Sequence, residues 1–102
     1  MATERTYTRP VPGIGDFIFR RRVLRDQIRI EAEAIRMLNG PTTDPNLHNI
    51  ALAVGTLSVL TVNAPEGWDL EALDPLIPSS VSQLWQVYGV LRAAEDEFLK
   101  GA

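Results

Sequence analysis

A mainly α protein, built as a three-helix domain with a short N-terminal β-strand or hairpin, is the fold class this sequence predicts. Three observations lead to it. Apolar residues recur at helical spacing in three separate stretches, each with a start or stop signal beside it. The clearest extended run, Phe17-Ile18-Phe19, is short and sits near the N-terminus among turn residues. The chain has 102 residues, 45% of them hydrophobic, which suffices for one modest core and is too little for two independent ones. Residues 1–102 are therefore expected to be a single domain, with residues 1–12 a flexible or extended tail.

The elements follow in order. In "VPGIGDFIFR", Pro12, Gly13 and Gly15 are turn formers and Phe17–Phe19 is the strand, so a small hairpin is expected there. From about Arg22 the period lengthens. Leu24, Ile28, Ile35 and Leu38 recur at helical spacing, and Asn39-Gly40-Pro41 is a helix stop. Those four apolar residues are expected to form the buried stripe of helix 1. Arg22, Arg25, Arg29 and Arg36 fall within roughly 60° of one another on the side away from it, and Glu31 lies near the middle of the apolar stripe. A carboxylate there either snorkels or faces a partner.

Helix 2 opens at Asp44, which can cap, followed by Pro45 at the first helical position, where the missing N–H costs nothing. Leu47, Ile50, Val54, Leu57 and Leu60 form one face, but no residue from Ile50 to Val62 is charged and apolar groups occur on nearly every side. Such a helix is buried centrally or covered by another chain. "LSVLTV" is β-branched enough to compete as a strand, yet the run from Asp44 is long enough to prefer helix. "NAPEGWDL" is a loop with a tight turn at Pro65 and Gly67, and "DLEALDPLIP" is a short helical turn ended by Pro75 and Pro78. Helix 3 is expected from Ser80, where "SVSQ" matches a capping box, with Val81, Leu84, Trp85, Tyr88, Leu91 and Phe98 on its apolar face.

Charge is unevenly placed. The formal net charge is -3, yet residues 1–36 hold eight basic side chains against five acidic, and residues 37–102 hold two against eight. Opposite halves of this kind are neutralised within one molecule, between copies stacked head to tail, or by an external polyanion. The crowd of Glu95, Asp96 and Glu97 near the end of helix 3 faces an unfavourable helix dipole and calls for a cation. Arg20, Arg21, Arg22, Arg25 and Arg29 are the nearest supply in kind.

Little in the chain points to catalysis. There is no cysteine, so neither a disulfide nor a thiolate metal site is available, and the single histidine, His48, lacks the companions a zinc site needs. The "GIG" of residues 13–15 lacks the third glycine of a nucleotide fingerprint. Ser58, Ser79, Ser80 and Ser82 have no base beside them. No enzyme, cofactor or metal is expected. The polar N-terminus has no apolar signal core, and the apolar stretch Asn49–Val62 is short of the roughly 20 residues that span a bilayer, so a cytoplasmic protein without a membrane partner is the expectation. The arginine stripe invites a nucleic-acid reading, but the rest of the chain is acidic and no aromatic residues interleave with the helical arginines, so protein contacts are preferred.

The stretches "DFIFRRRVLRDQIRIEAEAIRMLNG", "ALAVGTLSVLTVNAPEGWDLEALDP" and "LWQVYGVLRAAEDEFLKG" together resemble the small tail assembly chaperones of long-tailed bacteriophages and prophages, over nearly the whole chain. The resemblance implies a mostly helical, non-enzymatic protein of the host cell cytoplasm. It would coat the tape measure protein, help recruit tail tube subunits, and be absent from the finished particle. In that family a longer form often arises by ribosomal frameshifting. The family supplies no catalytic motif and no binding residues to carry over. The candidate protein-binding residues therefore come from the reading above: Arg22, Arg25, Arg29, Glu31, Ile50, Val54, Leu57, Trp85, Tyr88, Glu95, Asp96 and Glu97. The client is expected around helices 2 and 3, with self-association as a further expectation. The alternatives are a small nucleic-acid-binding or regulatory protein using the helix 1 arginines, and a structural tail connector.

Overall fold

The computed structural model describes residues 6–40, 43–73 and 76–101. Among the described residues the protein is mainly helical, with three α-helices and one three-stranded antiparallel sheet. Its contacts gather the chain into two compact units, one of residues 1–21 and 61–102 and the other of residues 22–60.

The first unit is a sheet with a helix packed on it. Strands β1 (Thr6–Val11) and β2 (Gly15–Arg20) form the expected N-terminal hairpin, so residues 6–11 of the anticipated tail are extended and paired. The hairpin turns where Pro12 and Gly13 allow it: Gly13 has φ 79° and the Ile14 N–H donates to the Val11 carbonyl at 3.0 Å, the pattern of a Pro-Gly type II turn. Alternation then sorts the side chains. Tyr7 lies opposite Phe19 and Arg9 opposite Phe17, and Tyr7, Val11, Phe17 and Phe19 are all buried.

A third strand, β3 (Thr61–Asn63), pairs with β2 through a bulge at Ile18/Phe19 and was not anticipated. The helical reading of "LSVLTV" holds only to Leu60, because the β-branched Thr61 and Val62 pass straight into a strand position beside β2. The next loop contains the expected turn: the Trp68 N–H donates to the Pro65 carbonyl at 3.1 Å with Gly67 at φ 89°. It sets the Trp68 ring edge-on to Phe17 at 5.3 Å.

Helix α3 (Pro78–Gly101) packs against β1. Two details of its start differ from expectation. Pro78, read as a helix terminator, is its first residue, and the Ser80–Gln83 box does not open it. The Ile77 carbonyl receives the N–H groups of Ser80 and Val81 instead, and Pro78 fits there because the first helical position needs no N–H. Pro75 lies outside the described residues. The anticipated turn in "DLEALDP" is a single 3-10 turn, Leu70–Ala72. The buried face of α3 is Leu84, Val87, Leu91 and Ala94, and Phe98 meets Tyr7 edge-on at 6.3 Å.

The second unit is a pair of helices, α1 (Leu24–Leu38) and α2 (Pro45–Leu60). Asp44 caps α2 as expected, accepting the N–H groups of Asn46 at 3.0 Å and Leu47 at 3.4 Å. Helix α1 ends with Asn39 in the left-handed conformation, φ 58°, its N–H and that of Gly40 returning to the Arg36 and Ile35 carbonyls. Pro41, the remaining part of that stop signal, lies outside the described residues.

The face that α1 buries is the main correction. The expected stripe of Leu24, Ile28, Ile35 and Leu38 is not the core face. Asp26, Ile30 and Ala34 are buried instead. The reason is close backbone approach. A Cβ added to Gly55 of α2 would lie 3.1 Å from the Ile30 carbonyl oxygen and 3.7 Å from the Ala34 nitrogen, so the small residues set where the helices touch. Asp26 is tolerated inside because its carboxylate accepts the Val23 N–H at 3.1 Å at the helix start and lies 4.0 Å from the Arg29 guanidinium. Helix α2 is the more buried of the two: Ala51, Ala53, Thr56, Leu57 and Leu60 are inside, with the Thr56 hydroxyl donating to the Leu52 carbonyl at 2.6 Å.

Candidate functional site

The displaced stripe is the largest feature left on the surface of α1. Leu24 is 80% exposed, Ile28 63% and Ile35 50%, with Leu38 half-buried at the end of the row. Glu31 is exposed within that row, its carboxylate accepting from the Gln27 amide at 3.2 Å. It is the match of 3.6 residues per turn to the spacing of these side chains that lines them up.

Beside the row run the arginines. Arg25, Arg29 and Arg36 are exposed and Arg22 is half-buried. Several are held by groups of α1: Arg22 donates to the Gln27 amide oxygen at 2.7 Å, Arg29 approaches Asp26, and Arg36 grips both carboxylate oxygens of Glu33, with Nε at 3.1 and 3.0 Å. The Arg36 hydrogen bond, aided by its charge, holds the Glu33 carboxyl below the usual carboxylate range.

The other sequence-predicted residues fall in different places. Val54 is half-buried and Leu57 is buried, so Leu57 serves packing, whereas Ile50 is 40% exposed near the start of α2. On α3, Trp85 is 39% exposed and stands edge-on to the half-buried Tyr88 at 5.8 Å. The acidic run has local partners: Glu95 with Arg92 at 2.7 Å, Asp96 with Lys100 at 3.1 Å and Glu97 with Arg9 at 3.2 Å. The helix-end carboxylates thus draw cations from their own helix and from β1. Arg21 lies over the Phe98 ring at 5.3 Å, and Arg9 lies 5.8 Å from the Tyr7 ring.

Three contributors were missed from sequence: Asp26, Arg9 and Gly55. Only Asp26 carried a legible signal, an acid three residues past the helix start. Among the described residues no group of three or more His, Cys, Asp or Glu is placed to hold a metal ion, and no helix is long and apolar enough to cross a membrane. The surface so defined combines exposed apolar side chains with arginines. In comparisons with known proteins, the chain matches no family model, no curated protein and no solved structure.

Proposed function

We propose that this protein is a non-enzymatic tail assembly chaperone that binds and solubilises a tape measure protein and helps recruit tail tube subunits in the host cell cytoplasm. The observation that carries the proposal is the exposed row Leu24, Ile28 and Ile35 on α1. Exposed apolar side chains aligned on one helix face and bordered by charge fit an interaction face. A chaperone for a long helical client needs such a face, and a catalyst does not.

The proposed client surface adds α1 to the region around helices 2 and 3. In α2, Ala51, Ala53, Leu57 and Leu60 are buried while Leu47 and Ile50 are exposed, and α1 adds the exposed row Leu24, Ile28 and Ile35, with Trp85 as a separate anchor on α3. The arginines are read as protein contacts over phosphate contacts because the chain is net acidic, at -3, and no aromatic residues interleave with the helical arginines.

Co-expression tests the proposal. Fragments of a tape measure protein that are insoluble alone should become soluble with this chain, and unchanged solubility across several fragments would refute it. Mass spectrometry of purified particles separates the structural-connector alternative, which requires the chain to remain in the virion. Tight, salt-sensitive binding to random duplex DNA would favour the nucleic-acid alternative.

A further inference from the structure

We infer that the exposed face of α1 is a docking seam for one amphipathic α-helix, whose apolar stripe carries a cation opposite Glu31 and carboxylates beside Arg25 and Arg29. The inference rests on the client-binding reading for the presence of a partner, and on the chemistry of α1 for its character.

Leu24, Ile28, Glu31, Ile35 and Leu38 are spaced four, three, four and three residues apart. This is the spacing of the a and d positions of a heptad, the pattern that seats one helix along another. The helix runs from Leu24 to Leu38, so the seam is about 22 Å long, or four turns. An apolar groove without charge would accept many occupants. This one has charge at two places. Glu31 sits inside the seam, so a helix covering it desolvates the carboxylate and must bring a cation to that layer. The exposed Arg25 and Arg29 border the seam on one flank only, because the opposite flank leads to the buried residues Ile30 and Ala34. An incoming helix therefore meets arginines along one edge, where acids are attracted and lysines repelled.

The same charges argue against a second copy of α1 as the occupant. A parallel pair would place Glu31 against its counterpart in the same layer. An antiparallel pair would place Glu31 against an isoleucine and bring the arginine flanks together. Both leave a carboxylate without a counter-charge. A lipid surface is disfavoured by the same carboxylate, which would have to enter among the apolar groups.

The test uses the full chain and two designed helical peptides of about three heptads with identical apolar seams. One carries lysine at the seam layer and glutamates on the flank, and the other has these charges exchanged. By fluorescence anisotropy the first should bind at least tenfold more tightly than the second. Ile28→Asp, at an exposed position, should weaken it at least tenfold while circular dichroism is unchanged. Glu31→Lys should narrow or reverse the preference. Equal binding of the two peptides, or binding that survives Ile28→Asp, would overturn the inference. So would an Ile28-dependent dimer in sedimentation, which makes a second copy the occupant, or Ile28-dependent binding to vesicles of anionic phospholipid. Rescue of a tape measure fragment that persists in Ile28→Asp refutes the seam and leaves the chaperone proposal standing. Peptide binding without any rescue does the reverse.

Discussion

Gly15 opens β2 with φ 140°, and a Cβ added there would lie 2.7 Å from Pro65 Cβ and 2.8 Å from Pro65 Cγ. Gly13, two residues earlier in the same hairpin, also has positive φ, 79°, but a Cβ there meets nothing within 4 Å. Alanine at each position therefore separates backbone strain from collision. At Gly13 the left-handed conformation costs about 1–2 kcal/mol, reduced by the lower entropy of the unfolded chain, worth about 0.4–1 kcal/mol. At Gly15 a comparable strain of about 1–3 kcal/mol is joined by overpacking against a rigid ring, a further 1–3 kcal/mol or so. Gly15→Ala should thus be less stable than Gly13→Ala by about 1–3 kcal/mol. At about 4–8 °C per kcal/mol for a domain of this size, its Tm falls further by at least about 4 °C. Urea and thermal unfolding followed by circular dichroism and by the fluorescence of Trp68 and Trp85 measure the difference. Pro65→Gly in the Gly15→Ala background removes both colliding atoms, so a double-mutant cycle should return most of the steric part. Equal losses at the two glycines, or a cycle with no coupling, would show that the loop of Pro65 does not press on the hairpin.

Gly55→Val should destabilise by about 1–3 kcal/mol in urea titration, because the new atoms meet the Ile30 carbonyl, which is backbone and cannot rotate away. Gly55→Ala should be near neutral, since about 0.5–1 kcal/mol of helix propensity offsets a 3.1 Å contact. A valine variant as stable as the parent would contradict the helix contact. Glu33 titrates below the ordinary glutamate range because Arg36 holds its charged form. Its folded pKa is depressed, so its contribution to stability is present above the ordinary value of about 4.3 and disappears as pH falls through the folded value. Arg36→Gln should move the Glu33 carboxyl resonance to a higher titration midpoint by NMR and flatten that part of the acid-side decline. An unchanged midpoint would show that the pair does not form in solution.

Several signals that act within one turn or one cap were legible from sequence alone. Asp44 and Pro45 start α2, Pro12-Gly13 turns the hairpin and Pro65 to Gly67 turns the next loop, because each requirement is met by atoms a few residues apart. Helical periodicity likewise revealed α1 and α2 to within a residue or two. It did not reveal which side of α1 is buried. Leu24, Ile28 and Ile35 are more apolar than Asp26, Ile30 and Ala34, but burial followed backbone geometry: Gly55 lets α2 approach the Ile30 carbonyl and the Ala34 nitrogen, which turns that face of α1 inward. The third strand was hidden for a related reason, since Thr61–Asn63 becomes a strand only because β2 offers it an edge. The partners of Glu95, Asp96 and Glu97 divide along the same line. Arg92 and Lys100 lie three and four residues away on one helix and follow from sequence spacing, whereas Arg9 reaches Glu97 only because α3 packs on β1. Local chemistry thus determined the start of α2, the end of α1 and the two turns, but not the start of α3, which Pro78 opens ahead of the Ser80–Gln83 box. The tertiary structure decided which apolar face stays in water, because that choice depends on how closely two backbones approach and not on how apolar either face is.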